Sequence, residues 1–294
     1  MIVLAPFGGA TLARPPGRVI HEGIRMPLIA AGAHRVHFRF DGPEDRPVIL
    51  LAHSLAASMA MWAPQMPYLT SRFRVLSVDM RGHGGSDAPE GPYHLDGLAD
   101  DFRAVLAHLG LGPVDFMGLS MGGMIGMTLA AKHPGLLRSV VLCDTMCEVP
   151  EAFRTALDGR MALARKDGME PLVEPTVERW FTPPFVARNP PILDQVRADI
   201  RNTPVAGYVG CCGAIQTLDL RDHVAGIAIP TLVIVGRDDP ATPVAASVVI
   251  HRAIAGSTLA VLDEASHLSN IEQPEAFDAA LAAFHDRHAA GEAS

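Results

Sequence analysis

No run of lysine and arginine long enough to follow a phosphate backbone occurs in this chain. Its 24 basic residues stand against 32 acidic ones, a formal charge of −8 over 294 residues. A nucleic-acid partner is therefore not expected. Long apolar runs are missing too: stretches such as Val48 to Ala52 and Thr231 to Val235 have the length of buried strands, far below the ~20 residues that cross a bilayer. No membrane association is expected. Met1 to Pro6 is apolar, but no basic residue precedes Arg14 and no sustained hydrophobic segment of signal-peptide type follows. Residues 1–20 read as an extension of an untargeted, cytoplasmic chain. Only four cysteines are present, Cys143, Cys147, Cys211 and Cys212, and none has CxxC spacing. That excludes a structural zinc site of the usual kind and leaves reduced thiols packed as small apolar groups. The glycine-rich stretch Asp79 to Asp87 lacks the GxxxxGK[ST] and GxGxxG spacings, and no histidine–carboxylate cluster stands out. Neither a nucleotide-type cofactor nor a metal is expected.

What the chain does have is apolar side chains, 49% of the total, enough for one large core. Short β-rich runs, Val48 to Ala52, Arg74 to Val78, Val114 to Met117, Val140 to Leu142, Thr231 to Val235 and Leu259 to Leu262, alternate with helical patterns such as Leu98 to Leu109 and Ala276 to Phe284. This rhythm predicts an α/β fold, a mostly parallel central sheet flanked by helices. Val19 to Ile29 and Val36 to Phe40 read as an antiparallel lead-in to the sheet. After Asp144 the strand rhythm stops until Ile229, and the intervening sequence is helical in pattern and broken by prolines, Pro183-Pro184 and Pro190-Pro191 among them. The expected organisation is a core formed by residues 1–145 and 221–294, with residues 146–220 inserted as a cap of short helices.

Gly118-Leu119-Ser120-Met121-Gly122-Gly123 follows an apolar strand and precedes the helical run Met124 to Lys132. This is the G-x-S-x-G elbow in its strand–turn–helix context, where a strained turn exposes the serine and close backbone approach demands glycines. A serine hydroxyl needs a base to take its proton, and the chain order of such sites puts an acid next and a histidine last. Gly236-Arg237-Asp238-Asp239 follows the strand ending at Val235, and Ala265-Ser266-His267 follows the strand ending at Leu262. Both loops fall at the C-terminal sheet edge, where open α/β sheets collect their sites. Ser120, Asp239 and His267 are therefore the candidate catalytic residues. Asp239 is taken over Asp238 because it stands third after the strand-ending Gly236. The candidate oxyanion donors are the backbone N–H groups of Met121 and of Leu55, the latter in the loop after Val48 to Ala52. An aspartate at position 120 would be needed for a dehalogenase, and the serine excludes it.

With these segments in place the chain resembles the 3-oxoadipate enol-lactonases of the α/β-hydrolase fold, from about Phe38 to Phe284. The shared segments are Met61-Trp62-Ala63-Pro64-Gln65, Asp79-Met80-Arg81-Gly82-His83-Gly84, Gly91-Pro92-Tyr93, the serine elbow, Arg179-Trp180-Phe181-Thr182, Gly207-Tyr208-Val209-Gly210-Cys211-Cys212 and Ser266-His267-Leu268-Ser269-Asn270. The resemblance implies cofactor-free opening of a small lactone through an acyl-enzyme on Ser120, as in the β-ketoadipate route of aromatic catabolism. A carboxylesterase, another lactonase or a perhydrolase would use the same triad, and a non-catalytic receptor would use only the pocket. A lactone bearing a carboxylate would need a cation from the cap, for which Arg154, Arg160, Arg179 and Arg201 are candidates. Trp180 and His53 are expected at the substrate pocket, His53 as a residue that shapes its loop.

Overall fold

The computed structural model describes residues 27–292. The expected extension, residues 1–20, and most of the predicted run Val19 to Ile29 lie outside them. The chain enters the sheet through β1 (Leu28–Ala31) and β2 (His34–Asp41), a hairpin paired antiparallel. β3 (Val48–Ala52) follows, then a 3₁₀ turn (Met59–Gln65), α1 (Met66–Arg72) and β4 (Arg74–Val78). After α2 (Leu95–His108) come β5 (Val114–Leu119), α3 (Met121–Lys132) and β6 (Leu137–Cys143). Then come α4 (Glu151–Asp167), α5 (Val173–Trp180), α6 (Pro183–Arg188), α7 (Ile192–Asn202) and α8 (Val205–Gln216). The short α9 (Arg221–Val224) leads back to β7 (Thr231–Gly236), α10 (Val244–Ala253), β8 (Thr258–Leu262), α11 (Ser269–Glu272) and α12 (Pro274–Glu292).

Among the described residues the strands form one eight-stranded sheet in the order β1-β2-β4-β3-β5-β6-β7-β8. β2 pairs antiparallel with β4, and the six strands from β4 to β8 pair in parallel. The parallel strands read as nearly unbroken apolar runs because helices cover both faces, and β3, β5, β6 and β7 are buried along almost their whole length. α3 is apolar on all sides and buried from Met121 through Ala130, as a helix must be when it lies inside the molecule. The four cysteines are free and buried. No helix among the described residues is long and apolar enough to cross a membrane.

Candidate active site

The turn between β5 and α3 holds Ser120 at φ 56°, ψ −114°, a conformation side-chain-bearing residues rarely adopt. Neighbouring bonds hold it there. Its N–H donates to the Cys143 carbonyl at 2.8 Å, and its carbonyl accepts from Met124 N–H at 3.0 Å and Thr145 Oγ1 at 2.7 Å. A Cβ at Gly122 would lie 2.2 Å from the Ala52 carbonyl oxygen, so only glycine lets the elbow sit against the end of β3. The serine side chain opens onto a cavity that His267 also lines.

The two loops at the ends of β7 and β8 meet through a second close approach. A Cβ at Gly236 would fall 2.2 Å from the Ser266 carbonyl oxygen and 2.5 Å from that of Ala265. Without a side chain there, Arg237 N–H donates to Leu262 O at 2.8 Å and Asp238 N–H to Ala265 O at 2.9 Å. This crossing carries Asp239 inward and leaves Asp238 exposed. Asp239 Oδ2 lies 2.8 Å from His267 Nδ1, while its Oδ1 accepts the N–H groups of Ala241 and Thr242 at 2.7 and 3.0 Å. Burial pushes the Asp239 carboxyl up, but the His267 charge and the bonds from His267 and Thr242 outweigh it and hold the acid below the usual range.

Behind this pair sits a carboxyl that sequence reasoning missed. Asp144, just past β6, is completely buried, accepts Gly236 N–H at 2.8 Å and meets Ser269 Oγ at 2.6 Å. Burial and the nearby Asp239 charge push it well above the usual carboxylate range. It ties the ends of β6 and β7 to the segment after His267. Its place at the C-terminal end of a sheet strand was the available signal.

The loop after β3 lines the cavity with Ser54, Leu55 and Ala56. Ala56 has φ 58°, and its N–H donates to His83 Nε2 at 2.9 Å. That donor is spent, whereas Leu55 N–H and Met121 N–H have no protein acceptor among the described residues. His53 does not line the cavity, contrary to the pocket expectation: its ring is wholly buried. Nδ1 lies 2.7 Å from the Ser54 carbonyl and Nε2 accepts Met80 N–H at 2.9 Å, so both nitrogens hold loops together. Trp180 does line the cavity, its ring centroid 6.3 Å from that of His267.

His83 must stay unprotonated to accept the Ala56 N–H, and burial together with the His53 charge lowers its pKa to about 3. Because the folded value lies below the unfolded one, the unfolded chain binds more protons in the window between them. The stabilisation is complete above pH 6.5 and is lost as pH falls toward 3. At pH 5 the loss amounts to roughly 2 kcal/mol from this residue. Urea unfolding at pH 7 and pH 5 checks it: His83→Gln, whose amide oxygen can accept the same N–H without titrating, should lose about 2 kcal/mol less than wild type between the two values. Equal losses would remove His83 from the account.

Of the four candidate cations, the structure brings two to the cavity. Arg201 pairs with Glu170 at the surface, and Arg154 lies outside the lining with Glu151 at 3.9 Å. Arg160 and Arg179 both line the cavity and form no ion pair with a carboxylate among the described residues. Arg179 donates only to Pro175 O and Thr176 Oγ1, each at 3.2 Å. Burial and the like charge of Arg160 push its pKa down to about 10. Sequence spacing could not rank the four, because ion pairing is decided by carboxylates far along the chain.

An eight-stranded, mostly parallel sheet with a strained serine at the β5–α3 turn and a buried carboxylate–histidine pair on neighbouring loops defines the class. The model of the α/β-hydrolase fold family matches residues 47–274, and the chain belongs to that family. By class it is a carboxylic-ester hydrolase, and it is similar to 3-oxoadipate enol-lactonases. Two of these, 3-oxoadipate enol-lactonases 2 and 1 of Acinetobacter baylyi, are 39% and 34% identical to it over 82% and 81% of this chain and 90% and 88% of their own. The crystal structure of the enol-lactonase from Burkholderia xenovorans superposes with a TM-score of 0.85 at 38% identity, covering 88% of this chain and all of that one.

Proposed function

We propose that the chain opens a small anionic lactone, 3-oxoadipate enol-lactone, with Ser120 as nucleophile, His267 as general base and Asp239 as the acid that orients it. The observation that carries this reading is one cavity shared by Ser120, the His267–Asp239 pair and two arginines that no carboxylate neutralises. A cavity that keeps two mutually repelling cations unpaired is suited to a substrate that brings the negative charge itself. The helices of residues 146–220 act as the cap, supplying Arg160, Arg179, Trp180 and Tyr208 to the cavity roof, and residues 1–145 and 221–294 form the core.

Ser120 Oγ attacks the lactone carbonyl as His267 Nε2 takes its proton, and the oxyanion is held by the N–H groups of Leu55 and Met121. Collapse breaks the ring C–O bond and expels an enolate, which takes the proton held on His267 Nε2 and ketonises, leaving the imidazole neutral again. Because an enolate is a good leaving group, little acid catalysis is required at this step. Water, deprotonated by His267, then attacks the acyl-enzyme and releases Ser120 and the 3-oxoadipate product. Asp239 holds the imidazole in the tautomer with Nδ1–H and stabilises the imidazolium without taking the proton.

The test is the loss of ultraviolet absorbance of 3-oxoadipate enol-lactone on addition of enzyme. Rapid loss supports the reading; no loss, with turnover of a neutral aryl ester, moves the substrate elsewhere. The arginine contribution has its own measurement. Arg179→Met should raise KM for the anionic lactone roughly 10- to 100-fold, the worth of one charge-assisted interaction, while changing kcat/KM for a neutral ester only about twofold. Equal losses on both substrates would make Arg179 a packing residue.

A further inference from the structure

Among the described residues, Trp180 alone lines both the catalytic cavity and a second cavity behind it. The second cavity is narrow and is walled mainly by Ala57, Ala60, Met61, Val196, Leu268 and Ile271. The two spaces abut along the same two loops. Leu55 and Ala56 face the first and Ala57 the second; His267 faces the first and Leu268 the second. Trp180 fills the gap between these loops and is held from both ends. Its carbonyl accepts Leu268 N–H at 3.1 Å, and its indole stands beside the His267 ring, the centroids 6.3 Å apart and the planes tilted by 36°. On its outer side the rear cavity is bounded by α7, which is fastened to the loop after β3 by Ser58 Oγ donating to Asp199 Oδ2 at 2.7 Å.

The chemistry of the two spaces differs. The catalytic cavity presents two unpaired arginines beside the serine, whereas the rear one has an almost wholly apolar wall with polar groups only at Gln195 and Asp199. An apolar chain has favourable surroundings in the second space, and a carboxylate has them only in the first. We propose that Trp180 is the specificity-determining partition between them: the indole confines turnover to short substrates, and its removal joins the narrow apolar space behind it to the catalytic cavity as a subsite for the apolar acyl chain of a longer ester. The proposal rests on the reading of the Ser120 cavity as the hydrolytic site, but not on which lactone is the natural substrate.

The experiment compares kcat/KM for 4-nitrophenyl butanoate and 4-nitrophenyl octanoate in wild type, Trp180→Ala, and Trp180→Ala combined with Val196→Phe. The readout is the octanoate-to-butanoate ratio within each enzyme, in which any damage to His267 from losing the indole cancels. Each methylene that finds apolar cover is worth about fourfold. Partial burial of the four extra methylenes should therefore raise the ratio at least about tenfold in Trp180→Ala. Refilling the rear space with Val196→Phe should return the ratio to near the wild-type value. An unchanged ratio in Trp180→Ala, or a raised ratio that Val196→Phe does not lower, overturns the partition. Absence of Ser120-dependent hydrolysis of either ester by any of the three enzymes would instead overturn the hydrolytic reading itself.

Discussion

Replacing Ser120 with alanine should lower kcat for 3-oxoadipate enol-lactone by about 10⁴-fold or more, because the nucleophile and its base act as a unit and loss of either removes the covalent route. Stability should hardly change. Ser120 owes its place to backbone bonds from Cys143, Met124 and Thr145 and to the glycine at 122, none of which involves the hydroxyl. Alanine carries the same Cβ into the same φ, so thermal unfolding should occur at the wild-type temperature. Turnover is followed by ultraviolet absorbance and folding by circular dichroism. A folded Ser120→Ala enzyme with wild-type kcat would end the acyl-enzyme mechanism.

Asp239→Asn should cost about 10³- to 10⁴-fold in kcat, the penalty expected when an amide can turn its NH₂ toward the imidazole and stabilise the wrong tautomer. The geometry of the substituted side chain is nearly unchanged, so the loss reports on charge and hydrogen-bond direction. Asp238→Asn is the internal control. Its carboxylate is exposed, and it joins the loop crossing through its backbone, the N–H donating to Ala265 O and the carbonyl accepting from Ser266 Oγ. Activity within about twofold of wild type is expected, the usual range for a surface change. If the two substitutions ranked the other way, the orienting acid would be Asp238.

Much of the frame was readable from spacing alone. The runs Val48 to Ala52 and Arg74 to Val78 are β3 and β4 residue for residue, because a strand covered on both faces is short and mostly apolar, and in β4 only Arg74 and Ser77 interrupt the apolar run. The segment Gly118 to Gly123 was legible for a different reason: a turn that strains a non-glycine residue against β3 tolerates few residue types, so its composition betrays its conformation. His53 was placed at the pocket as the residue that shapes its loop, and the structure keeps only the second half: the ring is buried away from the cavity, with both nitrogens engaged by the carbonyl of Ser54 and the N–H of Met80.

By itself, then, the sequence determined the α/β alternation, the place of Ser120 at a strand–helix turn and the arrival of an acid and His267 on later loops of the same sheet edge. These are properties of local runs, set by periodicity and by the backbone a short segment can adopt. Tertiary structure alone decided the matters that depend on charge and burial: a buried Asp144 behind the Asp239–His267 pair, and Arg160 and Arg179 lining the cavity of the serine without a counter-ion among the described residues. Each of these depends on which groups from distant parts of the chain share a low-dielectric space, and one-dimensional spacing carries no record of that.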